Sequence, residues 1–155
     1  MKNAVAPLTL LLLMLTAGLQ SIAQELTKES EAKIVEEIVV LVNKHRAEIG
    51  LDTLTIVPLV CEISKEHSKN MAKGKVGFSH DGFESRAKRI IKEFGGSGFA
   101  ENIAYGQSTA LQVTEGWLKS PGHKANIEGD FTHIGVGLFA DKKGVIYYTQ
   151  IFVKK

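Results

Sequence analysis

The 155-residue sequence predicts an α+β domain in which helices are layered on an antiparallel sheet. Three observations predict it. The first two thirds of the chain hold three segments whose apolar residues recur at helical spacing. The C-terminal end holds two β-rich runs joined by a glycine-bearing turn. A further strand and a short helix lie between, so helices come first and strands follow.

The elements follow in chain order. Met1–Ala23 has an early Lys2, an apolar run from Leu8 to Leu15 and the small residues Ser21 and Ala23 around Ile22. This is the pattern of a secretory signal peptide cleaved after Ala23, with an apolar core too short to span a bilayer. Residues 24–33 read as a polar lead-in, which leaves residues 34–155 as one domain. The expectation is a secreted or periplasmic monomer with no transmembrane segment after cleavage.

Ile34, Ile38, Leu41, Val42, His45 and Ile49 share one face of a first helix, and Gly50 stops it. Leu51–Val57 reads as a connector. Pro58 suits the first turn of a second helix, whose inner face is Val60, Ile63, Ser64, His67 and Met71. Asp81 and Glu84 have the spacing of a capping box for a third helix. Its apolar stripe is Phe83, Ala87, Ile90, Ile91 and Phe94; Arg86, Lys88, Arg89 and Lys92 read as its solvated face.

Phe99–Tyr105 reads as a strand. Thr109 and Gln112 suit the start of a short helix with Val113 and Trp117 inward, broken at Ser120-Pro121-Gly122. In His133–Phe139 the glycines Gly135 and Gly137 leave one face nearly bare, so another element can come close. Asp141–Gly144 is the turn into a last strand, Val145–Val153.

Composition excludes some functions. Nineteen basic and seventeen acidic residues are interspersed, which is no nucleic-acid footprint. Cys61 is the one cysteine, so there is no disulfide framework, and its place in an apolar helix makes it an inert thiol. Polar residues suited to chemistry concentrate in Glu101–Phe139: Glu101, Asn102, Trp117, Ser120, His123 and Asn126. His80 precedes them. Two imidazoles and a carboxylate can hold a divalent ion such as zinc, or Glu101 can orient one histidine while the other acts as a base. The same residues can also form a purely structural polar cluster.

NKHRAEIGLDTL at Asn43–Leu54, FSHD at Phe78–Asp81, ENIAYG at Glu101–Gly106, GWLKSPGHKANI at Gly116–Ile127, FTHIGVGLF at Phe131–Phe139 and YYTQIF at Tyr147–Phe152 occur in that order. Together they resemble the bacterial branch of the CAP superfamily: cysteine-rich secretory proteins, antigen five and pathogenesis-related protein one, also called the SCP-like extracellular domain. The resemblance implies a three-layer α-β-α sandwich with a central, mainly antiparallel sheet. It implies a cleft of two histidines and two acids that holds zinc or another divalent cation in some members. The matching positions are His80, Glu101 and His123, with Asn102, Trp117, Ser120 and Asn126 as cleft lining. Ser120 stands where the second acid is expected, three residues after Trp117. This weakens a metal-assisted hydrolase reading and favours a cleft that binds a metal or small ligand without defined catalysis. The other expected roles are a lipid- or sterol-binding module and an adhesion module. The expected partner is a small ligand, a lipid or an envelope component.

Overall fold

The computed structural model describes residues 29–155; the expected leader, Met1–Ala23, lies outside the described residues. The chain divides into two units, Met1–Lys33 and Ile34–Lys155. Of the first, residues 29–33 are described, and they are helical. The second carries the fold.

Helix α1 is described over residues 29–48. Strand β1 (Thr55–Ile56) and helices α2 (Pro58–Ala72) and α3 (Phe83–Glu93) follow. Then come β2 (Gly98–Tyr105), α4 (Ala110–Lys119), α5 (Pro121–Ile127), β3 (His133–Ala140) and β4 (Ile146–Lys154). The sheet order is β1-β3-β4-β2, which places β2 at an edge. Strand β4 runs antiparallel to both β2 and β3.

The expected connector at Leu51–Val57 contains a strand. Thr55 and Ile56 pair in parallel with His133 and Ile134, so the sheet is mixed. Two residues are too few to show a period of two, and the pairing depends on a partner far along the chain. The expected capping box at Asp81 and Glu84 also does not form. The N-cap is Gly82, in a left-handed conformation with no side-chain cap. The cap at the start of α4 does form: Gln112 N–H donates to Thr109 Oγ1 at 3.2 Å, and Ser108 N–H donates to Gln112 Oε1 at 2.9 Å.

Strand pleating sends alternate residues to opposite faces. Gly135 and Gly137 of β3 sit in register with Ile151 and Thr149 of β4, and these with Glu101 and Ile103 of β2. This face carries α2 and α3, through a cluster of Val57, Val60, Ile63, Ile90, Ile151 and Val153. The opposite face presents Ile134, Val136, Tyr148 and Phe152 to Ile38, Val42, Val113, Trp117 and Ile127 of α1, α4 and α5. The result is a three-layer α-β-α sandwich.

Two expected apolar stripes are narrower than their spacing suggests. Ile49 follows the end of α1 and is exposed, and α3 buries Ile90 while Ile91 stays half exposed. Helix α2 needs no correction. It lies so close to β3 that a Cβ on Gly135 would stand 2.5 Å from the carbonyl carbon of Val60. At that approach the Ser64 and Ser68 hydroxyls donate directly to the Gly135 and Gly137 carbonyls.

Candidate functional site

Glu101 and Asn102 are neighbours on edge strand β2, so their side chains enter different layers. Glu101 faces α2 and α3 and is only 6% exposed. A buried carboxylate needs donors, and three side chains surround it. The Arg86 guanidinium grips it with a fork: Nε donates to Oε2 at 2.8 Å and Nη2 to Oε1 at 2.7 Å. His80 Nδ1 stands 2.9 Å from Oε1. His67 Nε2 lies 4.0 Å from the same oxygen and donates to the Ser79 carbonyl at 3.0 Å. A carboxylate only accepts, so His80 carries its proton on Nδ1 and, when neutral, turns the Nε2 lone pair outward. The His80 side chain is half exposed.

Asn102 faces the α4–α5 layer and is fully buried. Its Nδ2 donates to the His123 carbonyl at 3.1 Å and to Gln150 Oε1 at 3.0 Å. Asn126 Nδ2 in turn donates to Asn102 Oδ1 at 2.8 Å and to the Glu101 carbonyl at 3.3 Å. These bonds fasten α5 to the edge strand and place the His123 ring beside it. The ring itself makes no hydrogen bond among the described residues. It lines a cavity of about 260 Å³ with Trp117, Ser120, Phe78, Ile103 and Gln107. Trp117 is core on one side, where its Nε1 donates to the Ile103 carbonyl at 3.2 Å, and cavity wall on the other. Gln107 Oε1 is buried with no donor among the described residues. The cavity is mostly apolar, and two of its lining residues, His123 and Gln107, carry polar groups without partners among the described residues.

The expected metal ligands His80, Glu101 and His123 do not converge. His80 and Glu101 meet on the α2–α3 face, whereas His123 belongs to α5 across β2. Among the described residues no three His, Cys, Asp or Glu side chains are placed to share one ion. Both oxygens of Glu101 are already held by the Arg86 fork. The donor set as it stands does not fit a divalent cation.

Two residues read from the sequence as bystanders belong to this cluster. Arg86 was expected on the wet stripe of α3, yet it turns inward and is 12% exposed at the side chain. His67, expected on the inner face of the second helix, also reaches the rim of the Glu101 carboxylate. Glu115, two residues before Trp117, pairs with Lys119 on the exposed side of α4 at 3.2 Å. His45, on the inner face of α1, is hydrogen-bonded to Glu128 Oε1 at 2.8 Å. Burial raises the thiol of Cys61, which keeps it protonated and inert.

Burial, and then the positive charge of Arg86, hold His67 below the ordinary histidine value of 6.5. Burial, and then His80, do the same to His123. Both rings are therefore neutral in the folded protein under conditions where the unfolded chain takes up protons. Their contribution to stability is complete above pH 6.5 and is lost as pH falls below it. The thermal midpoint should be flat above neutrality and decline below pH 6.5, and His67→Gln should flatten that decline. An unchanged slope in the variant would dissociate His67 from it.

The profile of the cysteine-rich secretory protein family, CAP, matches residues 39–152. The uncharacterized membrane protein YlbC of Bacillus subtilis strain 168 is 34% identical over 140 residues, 88% of this chain and 39% of its own length. The uncharacterized protein YkwD of the same organism is 37% identical over 129 residues, 81% of this chain and 47% of its own. The chain thus spans less than half the length of these curated relatives. Among solved structures, an extracellular protein containing an SCP domain from Bacillus anthracis str. Ames superposes with a TM-score of 0.72 at 31% identity. That match covers 83% of this chain and 42% of the other.

Proposed function

The chain belongs to the cysteine-rich secretory protein (CAP) family, and we propose that it acts as an exported binding module. Its cleft would hold a small ligand with an apolar body and polar groups at two points. One observation carries this reading: the unpartnered His123 ring and Gln107, whose buried Oε1 has no donor among the described residues, line the same mostly apolar cavity of about 260 Å³. A buried acceptor without a donor costs about 1–3 kcal/mol, which a ligand bearing a donor recovers on binding. A neutral imidazole offers that ligand both a donor and an acceptor. The reading leaves a metal out, because Arg86 already supplies the cation that Glu101 needs. Export rests on the leader pattern at Met1–Ala23 and on the extracellular description of the B. anthracis neighbour. N-terminal sequencing of the mature chain tests it, with Gln24 as the expected first residue.

The ligand reading is tested with a set of small aromatic amides and alcohols, followed by the ring resonances of His123 in two-dimensional NMR. Binders should shift those resonances, and His123→Ala and Gln107→Ala should each weaken them by about three- to tenfold, the loss of one hydrogen bond. Binders that map elsewhere, or that ignore both substitutions, would sink the reading.

The pairing of Glu101 with His80 favours a second reading. A carboxylate that fixes the tautomer of a solvent-facing imidazole is the arrangement of a general base. A hydrolase of this kind would use His80 Nε2 to take a proton from water attacking an ester or peptide carbonyl. Turnover of such substrates that falls about a hundredfold in Glu101→Gln would establish it; no turnover by the wild type removes it.

A further inference from the structure

On the α2–α3 face, the last row of the sheet is aromatic. Phe139 of β3 is in register with Tyr147 of β4, and Tyr147 with Tyr105 of β2. The Tyr105 and Tyr147 rings stack at 5.6 Å with an 18° interplanar angle. Phe78 extends the row from the loop after α2, edge-on to Tyr105 at 4.7 Å. Phe78 and Tyr105 are 49% and 52% exposed. At about 4.8 Å between strands, the row crosses roughly 10 Å of sheet before it reaches Phe78.

Cations gather at one end of the row. Lys69 of α2 and Lys73, just past its end, place their ammonium groups 5.7 and 5.8 Å from the centre of the Phe139 ring. Phe139 also lines a cavity of about 810 Å³ with Lys73, Lys75, Lys142 and Lys143. None of these five lysines is in an ion pair among the described residues. The nearby acid, Asp141, spends its Oδ1 on the backbone N–H groups of Lys143 and Val145 in its own turn. The whole chain carries a formal excess of only two positive charges, so this end concentrates charge that the rest of the molecule balances.

We propose that this aromatic row and its lysine end form a second binding site, for an extended acidic glycan. The polarised C–H faces of sugar rings lie on the electron-rich faces and edges of aromatic rings. Carboxylate or phosphate groups on the glycan meet the lysines. The layout favours a glycan over a single-stranded nucleic acid, which carries a phosphate at every nucleotide and needs cations along the whole track. Here the cations stop at Phe139. It favours a glycan over an extended peptide, which would seek the hydrogen-bonding edge of a strand, whereas these rings lie on a sheet face. A bilayer would meet rings that project from the surface; Tyr147 and Phe139 are partly buried in the row. The row shares Phe78 and Tyr105 with the wall of the histidine cavity, but its Phe139 and lysine end lie outside that cavity, and its test does not involve the imidazoles.

The probe is a galacturonic acid hexamer, added to the full domain at low salt and followed by backbone amide shifts. It should bind with shifts at Tyr105, Phe139 and Tyr147. Tyr105→Ala should weaken it about fivefold, the loss of one aromatic contact. Lys69→Ala/Lys73→Ala should weaken it and flatten its salt dependence. Phe78→Ala, in a loop, repeats the aromatic arm if Tyr105→Ala does not fold. His123→Ala should leave the affinity unchanged, which distinguishes binding along the row from occupancy of the histidine cavity whose wall shares Phe78 and Tyr105. The proposal is overturned by absence of binding at millimolar hexamer or by full affinity in the aromatic variants. It is equally overturned if hexaglutamate, oligothymidylate or phosphatidylglycerol vesicles bind this row as well as the hexamer does.

Discussion

Arg86→Ala is expected to destabilise the domain by about 3 to 5 kcal/mol in chemical denaturation, the cost of stripping one partner from a buried ion pair. The Glu101 side chain is 2% exposed and that of Arg86 12%. Without the guanidinium, both carboxylate oxygens lose their charge-assisted bonds, and His80 remains as the only close donor. Arg86→Lys should recover part of the loss, because an ammonium is a single point of charge and cannot span Oε1 and Oε2 as the fork does. In Arg86→Ala/Glu101→Gln the second substitution should cost far less than it does alone, because the charge left without a partner is gone. A loss below about 1 kcal/mol in Arg86→Ala would mean that the pair behaves like a surface salt bridge. In that case Glu101 would also be free to take another cation, and the metal reading would return.

Arg86 also shows where the sequence stops being informative. It stands on α3 among Lys88, Arg89 and Lys92, and its residue type is the same as theirs for any pattern-based reading. What turns it inward is a carboxylate fifteen residues away on another element, and no helical period encodes that. The same holds for β1, which becomes a strand only because the Thr132 and Ile134 carbonyls accept from the N–H groups of Thr55 and of Val57 just after it. Gln107 lies in a loop, with no period at all, and its missing hydrogen-bond partner is a property of the packed cavity. Features governed by local periodicity were legible. The inner face of α2, the strands β2 to β4 and the Thr109 cap all stand where spacing puts them. The ordered motifs placed Glu101, Asn102, His123 and Asn126 around one strand, but not the face each would take. Alternation along β2 divides Glu101 from Asn102, so His80 and His123 approach the edge strand from different layers, near enough for His80 to act on His123. The expected single cleft is therefore a buried ionic cluster on one face and, at the edge of β2, a cavity lined from both.

Gly137→Ala should be the other severe substitution, with a loss above about 3 kcal/mol or no folded protein at all. The bare face of β3 is what allows α2 to lie directly on the sheet. A methyl group on Gly137 would run into the backbone nitrogen and Cα of Lys65, and no rotamer change can relieve a clash with backbone. Helix α2 would have to lift. That would break the Ser64 and Ser68 bonds to the β3 carbonyls, together with the 2.8 Å contact between Ser68 Oγ and Thr149 Oγ1. It would also draw His67 away from Ser79 and from the rim of Glu101. Gly116→Ala is the matched control. It lies in α4 with nothing within 4 Å of an added Cβ, so it should gain up to about 1 kcal/mol from helix propensity. If Gly137→Ala still folds, its stability should no longer decline below pH 6.5 with the wild-type slope, because His67 is no longer held neutral by its surroundings. A variant with wild-type stability and wild-type slope would show that α2 tolerates the displacement. The approach of helix to strand would then not be what holds His67 at the ionic cluster.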